Sequence, residues 1–254
     1  KGYFKMVLAW MKEAGYNVEA AIIDARWLGV PQARQRVIFI GVRQDVYDVV
    51  TAGGKKLERF PRPASWFYSV QDACPWVSRA AKFSGENSFL PKPVDYTNAA
   101  AAAMKTTDKG QWLVSNTHKH PETIDPADSE IAALGGAAKI AWTETAIGKN
   151  HPVHFNCSKV DETHASPTIP ATGSPGMHGV SHPYEPRRFT ILEVKRLCSF
   201  PDDFKMSGTF QQRWARLGNA VPPLMMKAIA ETVRDNVLIP YRDSLTAKAV
   251  GGKT

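Results

Sequence analysis

Residues 218–223 read Gly-Asn-Ala-Val-Pro-Pro, and the stretch Leu224 to Leu238 (LMMKAIAETVRDNVL) follows directly. The paired prolines stand where the first N–H groups of a helix need no partner, and apolar residues then recur at helical spacing. We predict a Gly-Asn turn that leads into one long amphipathic helix over 224–238, with a frayed tail beyond Pro240. Bare N–H groups at the start of such a helix would suit a carboxylate.

The N-terminal part predicts a helix followed by two strands. Apolar side chains within residues 3–14 fall on one helical face, and Gly15 can take the left-handed conformation that ends a helix. Residues 17–24 (NVEAAIID) and 36–42 (RVIFIGV) are rich in β-branched and apolar residues, which is typical of strands. The connection between the two strands carries the basic sequence Gln-Ala-Arg-Gln-Arg at 32–36.

The middle of the chain predicts few regular elements. From about Asp45 to Glu185, prolines interrupt every candidate element longer than about a dozen residues, so we expect a loop-rich region. A helix over 190–199 follows, with Thr190 as its N-cap and Glu193 as the reciprocal partner in a capping box.

The composition is that of a globular protein with a basic surface. The 254 residues are 43% hydrophobic, enough to build a core, and their formal net charge of +8 favours a polyanionic partner. The three cysteines are too few for a disulfide framework and fit a reducing compartment. No apolar run approaches the roughly 20 residues that cross a bilayer, so we expect a cytoplasmic protein. Because the sequence starts at Lys1 inside a predicted helix, we also expect it to be a piece of a longer protein.

Three motifs, taken together and in this order, resemble the closing motifs of the DNA (cytosine-5) methyltransferases. They are Gln-x-Arg-x-Arg at 32–36, Arg-x-x-Thr-x-x-Glu at 187–193 running on to Phe-Pro-Asp at 200–202, and Gly-Asn-Ala-Val-Pro-Pro at 218–223. The resemblance implies an α/β fold: a partial Rossmann-like methyltransferase sheet with an inserted, loop-rich target-recognition domain.

The resemblance also implies a division of the chain. Residues 1–45 would supply later strands and a helix of the catalytic domain, and 46–184 the target-recognition region. Residues 185–240 would support that region and return a C-terminal helix to the catalytic domain, and 241–254 would form a tail.

The implied reaction transfers a methyl group from S-adenosylmethionine to a cytosine that is flipped out of duplex DNA, in a bacterial or phage-encoded modification system. Carbon 5 of cytosine is a poor nucleophile, so a thiolate adds at carbon 6 while the base is held outside the helix. By the resemblance, Arg36 would hold the cytosine, and Arg34 and Gln32 would brace neighbouring groups. Two arginines two residues apart on a strand would point to the same side.

The resemblance places further candidates in the cofactor and DNA sites. Asn219 and Ala220 would lie beside the cofactor. Thr168 and Ile169 would approach DNA, and Arg187 and Arg188 would add contacts to its phosphates, as would His178 and His182. The block around Arg187 has a second reading, in which it orders the domain and touches no DNA.

Three motifs of the family's first half are absent from this sequence: the Gly-rich cofactor loop, the Pro-Cys that supplies the nucleophile, and Glu-Asn-Val. Cys74 precedes a proline, Cys157 follows Asn156, and Cys198 lies inside a predicted helix, so none transfers as the catalyst. We therefore expect this chain to be inactive alone. Its missing N-terminal half would belong to the same polypeptide or to a separate subunit.

Other functions stay open at this stage. The chain could be the recognition subunit of a split methyltransferase, an inactive remnant, or a relative of the tRNA cytosine methyltransferases. A zinc-binding interaction domain would use four residues of suitable chemistry, although the spacing is poor and we predict no metal. They are His151, His154, Cys157 and His164.

Overall fold

The computed structural model describes residues 2–77, 125–154, 156–173 and 179–251. They divide into two compact units, which we call unit 1 and unit 2. Unit 1 comprises residues 1–24, 35–64 and 225–254, and unit 2 comprises residues 25–34 and 65–224. None of the helices in the described ranges is long and apolar enough to cross a bilayer.

Both helices and strands occur in the described ranges. The helices are α1 (Gly2–Glu13), α2 (Gln44–Val50), α3 (Val70–Ala73), α4 (Gly136–Glu144), α5 (Ile191–Leu197), α6 (Phe210–Asn219), α7 (Pro223–Val233) and α8 (Ile239–Gly251). The strands are β1 (Tyr16–Asp24), β2 (Gln35–Arg43), β3 (Ser158–Lys159) and β4 (Val180–Ser181).

Unit 1 is built around the antiparallel pair β1 and β2, which confirms both predicted strands. The register runs from Tyr16 opposite Arg43 to Asp24 opposite Gln35. Gly15, at φ +85°, joins α1 to β1 in the left-handed conformation that the sequence predicts. The α1 helix packs on one face of the pair, where the rings of Phe4 and Phe39 lie 5.4 Å apart.

The end of unit 1 corrects the sequence prediction. Instead of one helix over 224–238 and a frayed tail, α7 ends at Val233, a π-helical turn spans Arg234–Leu238, and α8 continues to Gly251. In the π-helical turn the N–H of Ile239 donates to the carbonyl of Arg234. The wider turn accommodates Pro240, which has no N–H to donate and would crowd the preceding turn of a regular α-helix.

The core of unit 2 surrounds α5, whose residues are all buried. Thr190 caps this helix and forms the predicted capping box with Glu193, so that prediction is confirmed. The buried carboxylate of Asp128 receives Lys195 from α5 and Arg213 from α6, the latter at 2.8 Å. A buried carboxylate with two cationic partners has its charge compensated, so this contact joins the two helices at modest cost.

The Glu193 carboxylate accepts four hydrogen bonds in this core. It accepts from the Thr190 N–H at 2.7 Å, from the Trp76 indole at 2.9 Å, and from both terminal nitrogens of Arg187 at 2.8 and 3.1 Å. Burial by itself would lower the pKa of Arg187, but the carboxylates of Glu193 and Glu185 outweigh it and raise that pKa above its ordinary value. Arg187 therefore stays charged at physiological pH.

We predict that Glu193→Gln lowers the free energy of unfolding by about 3 kcal/mol, because it removes the buried charge that compensates Arg187. Glu185→Gln is the matched control, since Glu185 binds the same guanidinium with a side chain that is 15% exposed. Urea denaturation followed by fluorescence would measure both. Equal losses of unfolding free energy in the two variants would contradict the conclusion that Glu193 stabilises the fold more than Glu185 does.

Candidate functional site

Gln32 is fully buried in unit 2, where it contacts two other parts of the chain. Its amide nitrogen donates to the Cys198 sulfur at 3.2 Å and reaches the Leu197 carbonyl at 3.5 Å, both at the end of α5. Its amide oxygen accepts from the N–H of Ile169 at 3.5 Å. The side chain is positioned to brace these segments.

Arg34 makes a second set of cross-links, also within unit 2. Its guanidinium donates to the carbonyl of Ile169 at 3.2 Å and to the carbonyl of Gly218 at 2.7 Å. The side chain is 2% exposed. Arg34 therefore connects the Gln-x-Arg-x-Arg block to the Thr-Ile pair and to the Gly-Asn-Ala-Val-Pro-Pro block.

The backbone strengthens the first of these connections. The N–H of Ala33 donates to the Ser166 carbonyl at 2.8 Å, and the N–H of Ser166 donates to the Pro31 carbonyl at 3.0 Å. Thr168 adds a side-chain bond to the carbonyl of Ala33 at 2.7 Å, and Thr168 is exposed. Ser166 was not predicted as a site residue from the sequence. Its position directly before Pro167 was a local signal for an extended backbone, because a residue before proline disfavours the helical conformation.

Arg36 differs from Arg34 in its surroundings. Arg36 lies on β2 in unit 1, is half-buried, and donates to the carbonyl of Gln35 at 2.6 Å. Arg34 precedes β2 and belongs to unit 2. The expectation that both arginines point to the same side of one strand assumed regular strand alternation, which begins only at Gln35.

The predicted turn at Gly218-Asn219 is wrong. Both residues belong to the last turn of α6, and the N–H of Ala220 donates to the carbonyls of Arg216 and Leu217 at 3.0 and 3.2 Å. The α6 helix runs through the Gly-Asn pair because its own backbone hydrogen bonds extend that far. Asn219 is exposed and can still offer its side-chain amide.

Gly218 has a packing role. A Cβ atom at this position would lie 2.5 Å from the carbonyl carbon of Pro170, a distance that real side chains do not adopt. Glycine is therefore required where α6 passes the segment that follows Thr168 and Ile169. The neighbouring Ala220 lines a cavity of about 380 Å³, together with Phe200, Phe204 and other residues of unit 2.

Three of the predicted DNA-contacting side chains are buried, which corrects those assignments. Ile169, Arg187 and Arg188 are 0%, 2% and 1% exposed. Arg187 forms ion pairs with Glu193 and Glu185, which favours the interpretation that it orders the domain and touches no DNA. The Arg188 guanidinium lies 4.8 Å from the ring centre of Trp214, and burial lowers its pKa to about 10.

His182, which lies near this block, contributes no exposed cation either. His182 is buried, and its Nδ1 accepts from the N–H groups of Tyr184 and Glu185 at 3.2 and 3.1 Å. Burial, together with the charge of Arg187, lowers the pKa of His182 well below its ordinary value, so the ring is neutral. The predicted contact of His178 lies outside the described residues.

The candidate zinc ligands are engaged in other contacts. Both ring nitrogens of His151 have partners: Nε2 meets Glu144 at 3.2 Å, and Nδ1 accepts from the N–H groups of Val153 and His154. Across the part of the chain that the structure describes, no group of three or more His, Cys, Asp or Glu side chains is arranged to hold a metal ion.

We predict that Arg34→Met lowers the free energy of unfolding by about 2–6 kcal/mol, because two buried carbonyls lose donors at about 1–3 kcal/mol each. Arg36→Met is the matched control. The Arg36 side chain is half-exposed, and the hydrogen bond described for it goes to the neighbouring residue Gln35. We therefore expect the free energy of unfolding to change by no more than about 0.5 kcal/mol. Thermal and urea unfolding would measure both variants, and a stable Arg34→Met protein would contradict the bracing role.

The chain matches a model of the C-5 cytosine-specific DNA methylase family over residues 1–235. Among curated relatives, it is 28% identical to the type II methyltransferase M1.HphI of Haemophilus parahaemolyticus over 86% of this chain and 48% of that protein. It is 27% identical to M.NgoFVII of Neisseria gonorrhoeae over 92% of this chain and 54% of that protein. The chain thus spans about half the length of these relatives.

A solved structure supports the fold. A protein described as a DNA modification methyltransferase encoded within a prophage of E. coli superposes with a TM-score of 0.55 at 18% identity, covering 93% of this chain and 65% of that one. The family match covers most of the chain, including the three motif blocks that Gln32 and Arg34 connect. The chain belongs to the family of C-5 cytosine-specific DNA methylases.

Proposed function

We propose that the complete protein transfers a methyl group from S-adenosylmethionine to carbon 5 of a flipped cytosine in a specific duplex sequence, and that this chain supplies target recognition and part of the base pocket. The observation that carries the proposal is the bracing of three family motifs by Gln32 and Arg34 within unit 2. A family member whose recognition segment is tied to its base-pocket motif is built to position DNA and base together.

Within this proposal, each candidate side chain has a distinct role. Arg36 holds the cytosine and stabilises the charge that develops on it, for which a guanidinium offers forked donors. Gln32 and Arg34 brace the segment that leads into β2, the strand on which Arg36 lies. Thr168 contacts DNA, since it is exposed on the braced segment.

The fit of the chain to S-adenosylmethionine is partial. The backbone N–H of Ala220 is already bonded inside α6, and that of Leu224 at the start of α7 donates to the Ser199 hydroxyl at 3.2 Å, so neither is available to a cofactor carboxylate. The exposed amide of Asn219 and the half-buried side chain of Ala220 remain the proposed contacts in this motif. We therefore assign the main cofactor site to the part of the enzyme that carries the Gly-rich loop.

The nucleophile is also assigned to another part of the enzyme. All three cysteines of the chain are buried. Burial raises the pKa of Cys74 well above its ordinary value and that of Cys198 to about 11, although the Gln32 hydrogen bond and the Arg34 charge oppose the second shift. A thiol held protonated in the core is a poor nucleophile, which supports the proposal that the chain is inactive alone.

The fold proposed for the complete protein is a Rossmann-like sheet that β1 and β2 extend, with the target-recognition region inserted after β2. The domain limits of 1–45, 46–184, 185–240 and 241–254 remain a proposal, with unit 2 taking in residues 25–34 and 185–224 as well as the middle region. A two-stranded sheet alone is marginally stable in water, which favours further strands in the complete enzyme.

A second candidate is a recognition subunit that binds DNA without catalysis, with its catalytic partner on a separate chain or lost. The burial of every cysteine in this chain favours this candidate as much as the first. The reading frame that encodes the chain would distinguish them. A frame that continues through Pro-Cys and Glu-Asn-Val supports the single-chain enzyme.

We predict that Arg36→Met in the full-length protein lowers the kcat for methyl transfer by about 10²–10³-fold, because it removes a donor to charge that develops in the transition state. Transfer of labelled methyl from S-adenosylmethionine to duplex DNA would measure this. Lys149→Met, on a surface residue of unit 2, is the control and should retain full kcat. A full-length wild-type protein that neither prefers one duplex over random DNA nor transfers methyl would overturn the proposal.

We also predict that the native chain resists thiol reagents. Because the three cysteines are buried, fewer than one per chain should react within minutes at pH 8, and all three should react in guanidinium chloride. Mass spectrometry after brief alkylation would count the modified residues. Rapid alkylation of Cys198 in the native protein would contradict its raised pKa, and Cys198 would then be a possible nucleophile.

A further inference from the structure

Three separate segments of unit 2 place aromatic rings side by side. The N–H of Val70 donates to the carbonyl of His164 at 2.9 Å, which aligns the segment before α3 with the stretch that leads to Thr168. Trp27 lies in a 3-10 helix over Ala25–Leu28, and the segment after this helix contacts the same stretch through the backbone bond between Ala33 and Ser166 at 2.8 Å. The fold therefore brings side chains that are far apart in sequence close together in unit 2.

We define the aromatic strip as Arg26, Trp27, Phe67 and His164. The Arg26 guanidinium lies 4.6 Å from the centre of the Trp27 ring. Trp27 meets Phe67 edge to face at 5.8 Å, and Phe67 is stacked on His164 at 6.3 Å with 24° between the ring planes. The members form a continuous row of one cation and three rings.

The strip is accessible rather than part of the core. Arg26, Trp27 and Phe67 are half-buried, and the His164 side chain is 68% exposed. Asp161 and Thr163 each lie 3.0 Å from Nδ1 of His164 and orient its ring. A ring that is oriented by a hydrogen bond yet left open to solvent can stack on a ligand with little loss of side-chain entropy.

We propose that the aromatic strip binds a nucleotide of the target DNA, with its rings against the base or the deoxyribose. This inference rests on the proposed function. His164 precedes the exposed Thr168 by four residues, which span at most about 14 Å in an extended chain. That distance corresponds to about four base-pair steps of DNA. The strip and the proposed Thr168 contact would therefore lie within one short stretch of the duplex. Aromatic faces accept any base and, with a stacked guanidinium, complement a polyanion.

The test is duplex binding by the full-length protein and its Phe67→Leu variant, measured at several salt concentrations. Leucine keeps an apolar side chain but removes the ring, and losing one stacking contact should weaken binding about five- to tenfold. Because this contact is not ionic, the slope of log K against log salt should not change. Phe67→Tyr restores a ring and should recover most of the affinity.

Trp66→Leu is the matched control. Trp66 is the sequence neighbour of Phe67, is 42% exposed, and packs edge to face on Tyr68 at 5.0 Å, outside the strip. It should bind DNA as the wild type does. Equal affinity of Phe67→Leu and wild type, or equal weakening by Trp66→Leu and Phe67→Leu, would overturn the proposal.

A photochemical measurement covers the case in which Phe67→Leu fails to fold. Wild-type protein irradiated with 5-iodouracil-substituted target DNA should cross-link at Trp27, Phe67 or His164, and cross-links confined to other peptides would refute the strip. A wild-type protein that shows no preference for any duplex would refute the proposed function itself. A wild type that discriminates normally, beside a Phe67→Leu variant that binds equally well, would refute only the strip.

Discussion

The arrangement of the candidate site depends on a buried guanidinium that binds backbone carbonyls. Arg34 donates to the carbonyls of Ile169 and Gly218, residues separated from it by 135 and 184 positions in sequence. Burying a cation is costly unless fixed dipoles compensate it, so these carbonyls must stay close to the positions they hold. Three stretches of sequence that are far apart thereby become one braced site.

A second buried network supports this site within unit 2. Glu193 caps α5 and binds Arg187 and Trp76, and α5 ends beside the Cys198 sulfur that Gln32 contacts. The Arg-x-x-Thr-x-x-Glu block is thus an internal support of unit 2. Its charged side chains pair with one another inside the protein, which favours our proposal that exposed groups such as Thr168 contact DNA.

Sequence reasoning succeeded where a signal is local. The α5 capping box, the Gly15 helix end and the strands β1 and β2 follow from side-chain chemistry within a few residues. It failed at the Gly218-Asn219 turn and beyond Pro240. The length of a helix depends on hydrogen bonds and tertiary packing, which the helix propensity of single residues does not predict. Sequence reasoning also proposed Arg187 and Arg188 as DNA contacts, since a basic residue is exposed by default, beside a structural interpretation of the Arg187 block that the burial of both residues favours.

The sequence by itself determined the family, through three motifs whose order and spacing are readable without a structure, and it determined the local elements that carry them. Only the tertiary structure decided which motif residues face solvent and which are braces. Burial depends on contacts between segments more than a hundred residues apart, and no linear pattern records them. That is why Arg34 and Arg36, two positions apart, belong to different units and differ in burial.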